Sequence, residues 1–514
     1  MKSVPGGKSI HIWIGVIAVS NVAIHLCFYN MLGFHRDELL YFSLGANPSA
    51  GYASVPPFTG IMAWLMIKLT GSTLFSARLL PAIFSGLMIL LASGIVKELK
   101  GGNYARILAG IGIILTPINL RGFYLFQPVF FDVFFWTLNF WILLKWINSG
   151  ADKWILLLGV VTGIGLMNKY LILLQIISFC IVIPFTPYRK VFRNISLYLA
   201  ACIALLIFLP NIIWQVIHGL PVIGHMQALH DSQLVNVSRV NFLSDQILIS
   251  FIPSLLILPG LFAPLFHRWL KPARPMAIAA LLVILILFLL RGKSYYTAGI
   301  LPFLVCSGAV FWERILHPAA LRIALPALMV LVSIPAIPMG IPVLRAEKLA
   351  EYFAGMKRSI GFDAVLRDED GQYHALPQDY ADMLGWDELA EMAAKAYSQI
   401  DDQDASLIYC ENYGEAGAIT ILGKKFGLPA PVSFSESFLY WAPRDFKTEI
   451  TSVIYINDEM GKDVDALFAD IQIVGSISNP LAREYGTSVY LCRKPVRNFN
   501  AFWRDRVKEV KNPF

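Results

Sequence analysis

Charged residues are scarce in this chain. Of its 514 residues only 15% are Asp, Glu, Lys or Arg, and 56% are hydrophobic, whereas soluble globular proteins have roughly 25% charged and 45–50% apolar residues. This shortage argues against an ordinary cytosolic enzyme. With 13% aromatic residues and a mean hydropathy of +0.60, the composition also excludes a disordered, collagen-like or coiled-coil chain. A polytopic membrane protein remains.

Cysteine and the common sequence motifs are scarce as well. The six cysteines follow no metal-binding or redox spacing, and Walker A, HExxH, nucleophile-elbow and dinucleotide fingerprints are missing, so ATP-driven transport has no support. Four cysteines fall inside apolar runs, where a thiol packs as a small hydrophobe: Cys27, Cys180, Cys202 and Cys306. Cys410 and Cys492 each end a strand-like run, and a disulfide between them stays open.

Negative charge is confined mainly to the end of the chain. Residues 1–344 hold 23 Lys and Arg against 8 Asp and Glu, a net charge of +15, whereas residues 345–514 hold 19 against 27, a net charge of −8. We therefore expect a transmembrane domain over 1–344 and a soluble domain over 345–514. The positive charge of the first part lies in short loops between apolar runs, where bilayer orientation explains it, so no nucleic-acid partner is expected.

Apolar runs long enough to cross about 30 Å of hydrocarbon mark the membrane spans. The sequence predicts about eleven, near residues 10–32, 79–97, 104–118, 123–146, 154–168, 170–188, 195–217, 246–266, 276–290, 297–313 and 321–343. The first lacks a small-x-small cleavage site and is expected to stay as an anchor. With the N-terminus in the cytoplasm, 15 loop lysines and arginines lie inside and 8 outside. This orientation and an odd number of spans place the acidic tail outside the cytoplasm.

The tail has the pattern of a small α/β domain. Helical periodicity runs over Trp386–Ile400 and Tyr413–Phe426. Short β-branched or aromatic runs bounded by turn residues predict four strands: Leu407–Cys410, Ser452–Ile456, Ile471–Val474 and Ser488–Cys492. Alternation of this kind is typical of helices layered on a sheet.

Two adjacent carboxylates follow the first span. Asp37 and Glu38 open an outer-face loop of 46 residues, 33–78, that also contains Pro56 and Pro57. One interpretation is a helix cap, because the helix dipole favours acids in a first turn. The other is a reaction site at the membrane face.

Three further charges favour that site. Asp132 lies in an otherwise apolar run, where an unpaired carboxylate costs several kcal/mol, so we expect it to face a polar cavity or a cation. Lys169 and Lys293 each adjoin apolar runs. Each lysine alone is compatible with an anchor that snorkels to the interface. The predicted topology nevertheless places Asp37, Asp132, Lys169 and Lys293 at the same outer face.

At these residues the sequence resembles the GT-C membrane glycosyltransferases related to dolichyl-phosphate-mannose protein mannosyltransferases and to the lipid A aminoarabinose transferase. The similar pieces cover nearly the whole chain: Asp37–Tyr41, Gly51-Tyr52 with Pro56-Pro57 and Trp64, Arg78–Pro81, Asp132, Gly165-Leu166 with Lys169-Tyr170, Pro210-Asn211 with Trp214, His225, Lys293 with Tyr295-Tyr296 and Pro302, Leu376–Asp382 and Tyr413–Ile419. The last two resemble a bacterial branch. The resemblance implies a GT-C fold in the bacterial inner membrane, with the C-terminal domain in the periplasm.

The chain also departs from that family. Where relatives commonly read Tyr-x-Asp-His-Pro-Pro, it has Tyr52-Ala53-Ser54-Val55-Pro56-Pro57, without the acid and the histidine. The segment Val129–Asp132 replaces a Thr-Pro-Asp, and Ser433–Pro443 differs from the Asn-containing, Trp-Gly-Pro version of the branch. A different donor or acceptor is compatible with these changes.

The residues fit sugar transfer from a polyprenyl-phosphate-linked donor to a lipid, glycan or protein acceptor. Such transfer requires a base for the acceptor and cations for the departing phosphate. We expect Asp37 to be the base, with Glu38 and Asp132 as further catalytic carboxylates, in one inverting displacement. The expected phosphate-binding residues are Lys169, Lys293, Arg78, Tyr295 and Tyr296. No cofactor is required; a divalent metal ion on His35 or His225 with Asp37 and Asp132 is an open alternative.

Two other classes of function remain open. A transporter or flippase of a lipid-linked or anionic substrate explains intramembrane charges, but no inverted repeat is visible and charge is concentrated at one face. A structural or receptor role explains the tail but not Asp132. The sequence does not identify the sugar, the lipid length, the acceptor or the oligomeric state.

Overall fold

The computed structural model describes residues 7–369 and 371–511. In chain order, its helices are α1 (Gly7–Cys27), α2 (Arg36–Ala46), α3 (Phe58–Thr70), α4 (Leu74–Glu98), α5 (Asn103–Leu115), α6 (Pro117–Gly122), α7 (Pro128–Ser149), α8 (Asp152–Asn168), α9 (Ile172–Val182), α10 (Ile195–Ile217), α11 (Pro221–Ser232), α12 (Arg239–Ser250), α13 (Ser254–Phe266), α14 (Arg274–Leu289), α15 (Leu301–Ile315), α16 (Ala319–Ser333), α17 (Ile337–Gly340), α18 (Ala346–Ile360), α19 (Gln378–Ala381), α20 (Trp386–Tyr397), α21 (Tyr413–Ile421), α22 (Phe438–Trp441), α23 (Lys462–Asp465) and α24 (Phe499–Lys511). The strands are β1 (Ser406–Cys410), β2 (Ser452–Asn457), β3 (Phe468–Ser476) and β4 (Ser488–Pro495).

The chain divides into two compact units. The first comprises Met1–Tyr29, Val55–Thr59 and Arg78–Val343, and the second comprises Asn30–Ser54, Gly60–Ala77 and Leu344–Phe514. Most of the long loop 33–78 is therefore grouped with the tail. The sequence-based division at residue 344 stays a prediction.

Apolar helices that can cross a membrane dominate the first unit. Among the described residues, seven segments are long and apolar enough: Ile10–Cys27, Leu74–Glu98, Pro128–Ser149, Ile195–Ile217, Arg268–Leu289, Ser294–Ile315 and Ala319–Gly340. Helix α5, expected as part of a span, has 13 residues and is only about 20 Å long. The polytopic fold is confirmed, and the total of about eleven crossings stays a prediction.

The predicted span near 246–266 is bent in the structure, and its crossing of the membrane stays a prediction. The chain there forms α12 and α13, which meet at an angle of 113°. Phe251 between them has a φ of +48°, and Pro253 has no backbone N–H to donate into a continuous helix. The break therefore follows from a proline inside an apolar run.

The tail of the second unit carries a four-stranded sheet in the order β1-β2-β4-β3. Strand β1 pairs with β2 in parallel, and the other pairs are antiparallel. Helix α24 contributes Phe499, Trp503 and Val507 to a buried apolar core. The sheet contributes Tyr455 from β2 and Tyr490 from β4 to the same core. The predicted α/β tail is confirmed, with each strand within a few residues of its predicted bounds. Cys410 and Cys492 are buried free thiols.

Candidate active site

Two lysines and two tyrosines form a cluster in the first unit. The Lys169 Nζ atom lies 5.3 Å from the ring centroids of both Tyr295 and Tyr296, and the Lys293 Nζ atom lies 5.9 Å from that of Tyr295. The two tyrosine rings pack edge to face with centroids 4.8 Å apart. The two ammonium groups repel each other. An anion bound between them would relieve that repulsion. We call these four residues the lysine cluster.

Asn168 fixes the backbone that carries Lys169. Lys169 is the C-cap residue of α8, and the fully buried Asn168 precedes it. The Asn168 side chain donates to the Pro128 carbonyl at 2.9 Å and accepts a hydrogen bond from the Thr59 hydroxyl at 3.0 Å. The end of α8 is thus tied to the start of α7. Sequence reasoning missed Asn168, although an amide beside a lysine at the end of an apolar run is a visible signal.

Asp132 lies on α7 and interacts electrostatically with Lys169. Only 5% of Asp132 is exposed, and the Trp136 indole N–H donates to its Oδ1 atom at 3.1 Å. The indole N–H of Trp136 is thus a direct partner of this buried carboxylate, and Lys169 is a cation in its surroundings.

Arg78 and His225 have different surroundings. Arg78 is 1% exposed; its guanidinium lies 4.3 Å from the Tyr124 ring centroid and donates to the Tyr124 carbonyl at 3.3 Å. Burial and the nearby charge of Lys293 lower the pKa of the His225 imidazole. Lys293 also donates a hydrogen bond to the Gln233 side chain. The structure thus brings His225 toward the lysine cluster and packs Arg78 against Tyr124.

The first turn of α2 in the second unit has a reciprocal N-cap. The Glu38 Oε2 atom accepts a hydrogen bond from the His35 backbone N–H at 2.9 Å, and the His35 Nδ1 atom accepts one from the Asp37 backbone N–H at 3.0 Å. Glu38 is fully buried. The helix-cap interpretation is therefore confirmed for Glu38, whose carboxylate satisfies a backbone donor that the helix leaves unpaired.

Asp37, one residue earlier, is partly exposed and contacts the tail. The Tyr413 hydroxyl donates to its Oδ1 atom at 2.9 Å. The Arg36 guanidinium lies 4.5 Å from the Tyr413 ring centroid, and its Nη1 atom lies 3.8 Å from the Glu484 Oε1 atom. Burial and the charge of Asp37 raise the pKa of the Tyr413 phenol well above its usual range. Tyr413 consequently remains a hydrogen-bond donor at neutral pH.

His35, Asp379 and Asp382 form a group with the composition of a metal site. The His35 Nε2 atom lies 3.6 Å from the Asp379 Oδ1 atom and 3.8 Å from the Asp382 Oδ2 atom. However, the Nδ1 atom accepts the Asp37 N–H, so in the neutral ring the proton is on Nε2. A protonated Nε2 cannot ligate a metal ion. The Arg483 guanidinium, 3.3 Å from Asp382, already supplies positive charge, so these residues do not fit a metal centre.

Glu436 is a further carboxylate of the second unit that sequence reasoning missed. Its Oε2 atom is inaccessible to solvent, and its side chain hydrogen-bonds to Ser54. The next residue, Ser437, accepts a hydrogen bond from the Ala53 backbone N–H at 3.0 Å. Burial, together with the charge of Asp37, raises the pKa of the Glu436 carboxyl to about 7. Ser54 and the segment Ser433–Pro443 both differ from the sequence pattern of the family. The structure brings these two differences into contact through Glu436.

Residues 54–214 match the family model described as dolichyl-phosphate-mannose-protein mannosyltransferase. A crystal structure of ArnT from Cupriavidus metallidurans bound to undecaprenyl phosphate superimposes with a TM-score of 0.62 at 12% identity, covering 95% of this chain and 98% of that chain. The apo structure of the same protein gives 0.60 at 12% identity, with 94% and 98% covered. The chain has the GT-C fold. A search of curated proteins found no significant match.

The GT-C resemblance predicted from sequence motifs is thereby confirmed. Arg78, Asp132 and Lys169 lie inside the region matched by the family model, whereas Asp37, Lys293 and Tyr413 lie outside it. At 12% identity the likeness to ArnT concerns the fold. The roles of individual side chains in this chain therefore rest on their own geometry.

Proposed function

We propose that this GT-C protein transfers a sugar from a polyprenyl-phosphate-linked donor to a lipid, glycan or protein acceptor at the outer face of the membrane. Asp37 is the general base, and the reaction inverts the anomeric carbon in a single displacement. We further propose that the protein lies in the inner membrane of a bacterium, with its N-terminus in the cytoplasm and its tail in the periplasm.

The lysine cluster is the observation that carries this proposal. Lys169 and Lys293 bring two positive charges together over the rings of Tyr295 and Tyr296, and paired cations favour the binding of a lipid phosphate. Charge on the departing phosphate grows as the glycosidic bond breaks, so these cations stabilise the transition state more than the ground state. The ArnT neighbour, which shares the fold, was crystallised with undecaprenyl phosphate.

Asp37 is the base because it is the accessible carboxylate among the three predicted. Glu38 is fully buried and occupied by the helix cap, and Asp132 is 5% exposed and held by Trp136. The Asp37 Oδ1 atom also accepts a hydrogen bond from Tyr413, and we assign the acceptor proton to the Asp37 carboxylate. The electron pair of the deprotonated acceptor attacks the anomeric carbon, and the polyprenyl phosphate leaves with the bonding electrons.

Mass spectrometry of envelope glycoconjugates tests the function. Cells producing the wild-type protein should contain a glycoconjugate that is heavier by one sugar and is missing from cells without the gene. Asp37→Asn should reduce its rate of formation by about 10²–10⁴-fold, the usual contribution of a general base. Asp401→Asn, a change at an exposed residue of the same unit, is the matched control.

Two results would contradict the proposal. If the glycoconjugates are identical with and without the gene, the transferase function is wrong. If Asp37→Asn retains the wild-type rate at equal amounts of folded protein, another group is the base.

A further inference from the structure

Tyr413 of the tail forms a hydrogen bond with Asp37, the predicted base, and each residue lies in the first turn of a helix. Tyr413 is the first residue of α21, and Asp37 is the second residue of α2. The two residues are 376 positions apart, yet the Tyr413 hydroxyl and the Asp37 Oδ1 atom are joined by a hydrogen bond of 2.9 Å. A hydrogen bond between a neutral donor and a carboxylate is stronger than one between neutral groups.

The start of α21 is rigidly defined. The Asn412 side chain accepts hydrogen bonds from the Gly414 and Glu415 backbone N–H groups at 2.8 and 3.1 Å. The Glu415 carboxylate in turn accepts a hydrogen bond from the Asn412 backbone N–H at 3.1 Å. This is a complete capping box. It fixes the backbone of Tyr413, which lies within the capped turn.

Glycines let α21 approach α2 closely. A Cβ atom added to Gly414 would lie 2.8 Å from the Arg36 side chain, and one added to Gly417 would lie 2.8 Å from Leu39 Cβ and 3.0 Å from the Leu39 carbonyl carbon. Contacts this short are not tolerated without a shift of the helices. The bare backbone of α21 therefore lies directly on the first turns of α2.

Arg36 adds a second restraint on the Tyr413 ring. The Arg36 guanidinium lies 4.5 Å from the ring centroid, which is a cation–π geometry. The same guanidinium also forms an ion pair, because its Nη1 atom lies 3.8 Å from the Glu484 Oε1 atom. The ring is thus restrained by Arg36, while the hydroxyl remains directed at Asp37.

We propose that Tyr413 is a positioning residue for Asp37: it binds one carboxylate oxygen so that the other is held toward the acceptor. This proposal rests on the proposed function, because it requires Asp37 to be the base. The tail domain then contributes directly to turnover through one hydroxyl group. No bond of Tyr413 is made or broken in the reaction.

Tyr413→Phe is the decisive variant because it removes the hydroxyl and keeps the ring that packs on Arg36. The rate of sugar transfer per folded molecule, measured in membrane vesicles, should fall about 10- to 100-fold, the contribution expected of a hydrogen bond to a charged group. Binding of undecaprenyl phosphate, measured by thermal stabilisation, should be unchanged. Tyr485→Phe removes a hydroxyl from an exposed tyrosine of the same unit and should leave both measurements at wild-type values.

A second variant keeps the test independent of Tyr413 itself. Gly417→Ala retains the hydroxyl but pushes α21 away from Leu39, so it should show the same loss of transfer with unchanged undecaprenyl phosphate binding. If Tyr413→Phe transfers at the wild-type rate while Asp37→Asn does not, the positioning role is wrong and the proposed function stands. If Asp37→Asn also transfers normally, the assignment of the base fails first.

Discussion

Under the proposed function, Lys169 is the residue on which we expect donor recognition to depend most. Lys169→Ala removes the ammonium group that lies over both Tyr295 and Tyr296. The Kd for undecaprenyl phosphate should therefore rise about 10- to 100-fold, because an ionic hydrogen bond to the phosphate is lost. Binding measured by thermal stabilisation of the purified protein checks this outcome, and transfer at saturating donor should fall less than transfer at low donor.

An exposed lysine provides the comparison. Lys190→Ala changes a side chain at the surface of the first unit and should not alter the Kd. An anchor that only snorkels to the interface would give a different result for Lys169→Ala: a lower yield or thermal midpoint, with phosphate affinity per folded molecule intact. That pattern would remove Lys169 from the phosphate site.

Glu436 gives the protein a pH-dependent stability. Its pKa is raised from 4.5 to about 7 in the folded state, chiefly by burial. Between these two values the unfolded chain has released the proton and the folded chain has kept it, so unfolding becomes more favourable as the pH rises. Below about 4.5 and above about 7 the two states carry the same charge at this site, and the slope disappears.

Glu436→Gln should remove that slope. The difference in thermal midpoint between Glu436→Gln and the wild-type protein should grow in favour of the variant from pH 5 to pH 7 and then remain constant. Differential scanning fluorimetry of the full chain in detergent, with Glu391→Gln as the exposed control, provides the measurement. A difference independent of pH would show that Glu436 is ionised in the folded protein throughout this range.

At the scale of single elements, local patterns in the sequence were informative. Helix α20 begins at Trp386, as its periodicity predicted, and the acids at Asp37 and Glu38 correctly indicated the first turn of a helix. Apolar runs bounded by turn residues gave all four strands. These signals are readable because they depend on neighbours within a few positions of one another.

Other elements were missed for equally physical reasons. Helix α3 is an apolar segment of 13 residues, which is too short to predict a membrane span, so the sequence predicts a loop there. Helix α21 ends at Ile421, whereas the apolar periodicity continued to Phe426. The bend between α12 and α13 lies at Pro253. The apolar character of the run 246–266 predicts a membrane span but gives no information about a bend inside it.

The sequence does not predict which distant residues of the site are in contact, because these contacts form only in the tertiary structure. The sequence predicts a phosphate site at four residues, each a polar residue beside an apolar run, and the structure brings the four together: Lys169, Lys293, Tyr295 and Tyr296. The hydrogen bond between Asp37 and Tyr413 has no local sequence signal, because the two residues are 376 positions apart. The pattern Asn412-x-x-Glu415 is typical of a helix start, but it does not identify the helix on which α21 packs.

For the whole molecule, charge determines the expected orientation. Residues 1–344 carry a net charge of +15 and residues 345–514 a net charge of −8. Short cytoplasmic loops carry an excess of lysine and arginine. In the predicted topology, 15 loop lysines and arginines lie on one side of the membrane and 8 on the other. The acidic tail, which carries Tyr413, is consequently expected on the opposite side, where the proposed reaction occurs.

A reporter fused to the carboxyl terminus tests this orientation. Alkaline phosphatase, which is active only in the periplasm, should be active in the fusion, and a fluorescent protein that folds only in the cytoplasm should be dark. The same pair inserted after Gly150, in the short connection between α7 and α8, should give the reverse pattern, because the predicted topology places this connection in the cytoplasm. A fluorescent carboxyl-terminal fusion would mean an even number of crossings, and the tail with Tyr413 would then lie on the side opposite to an extracytoplasmic acceptor.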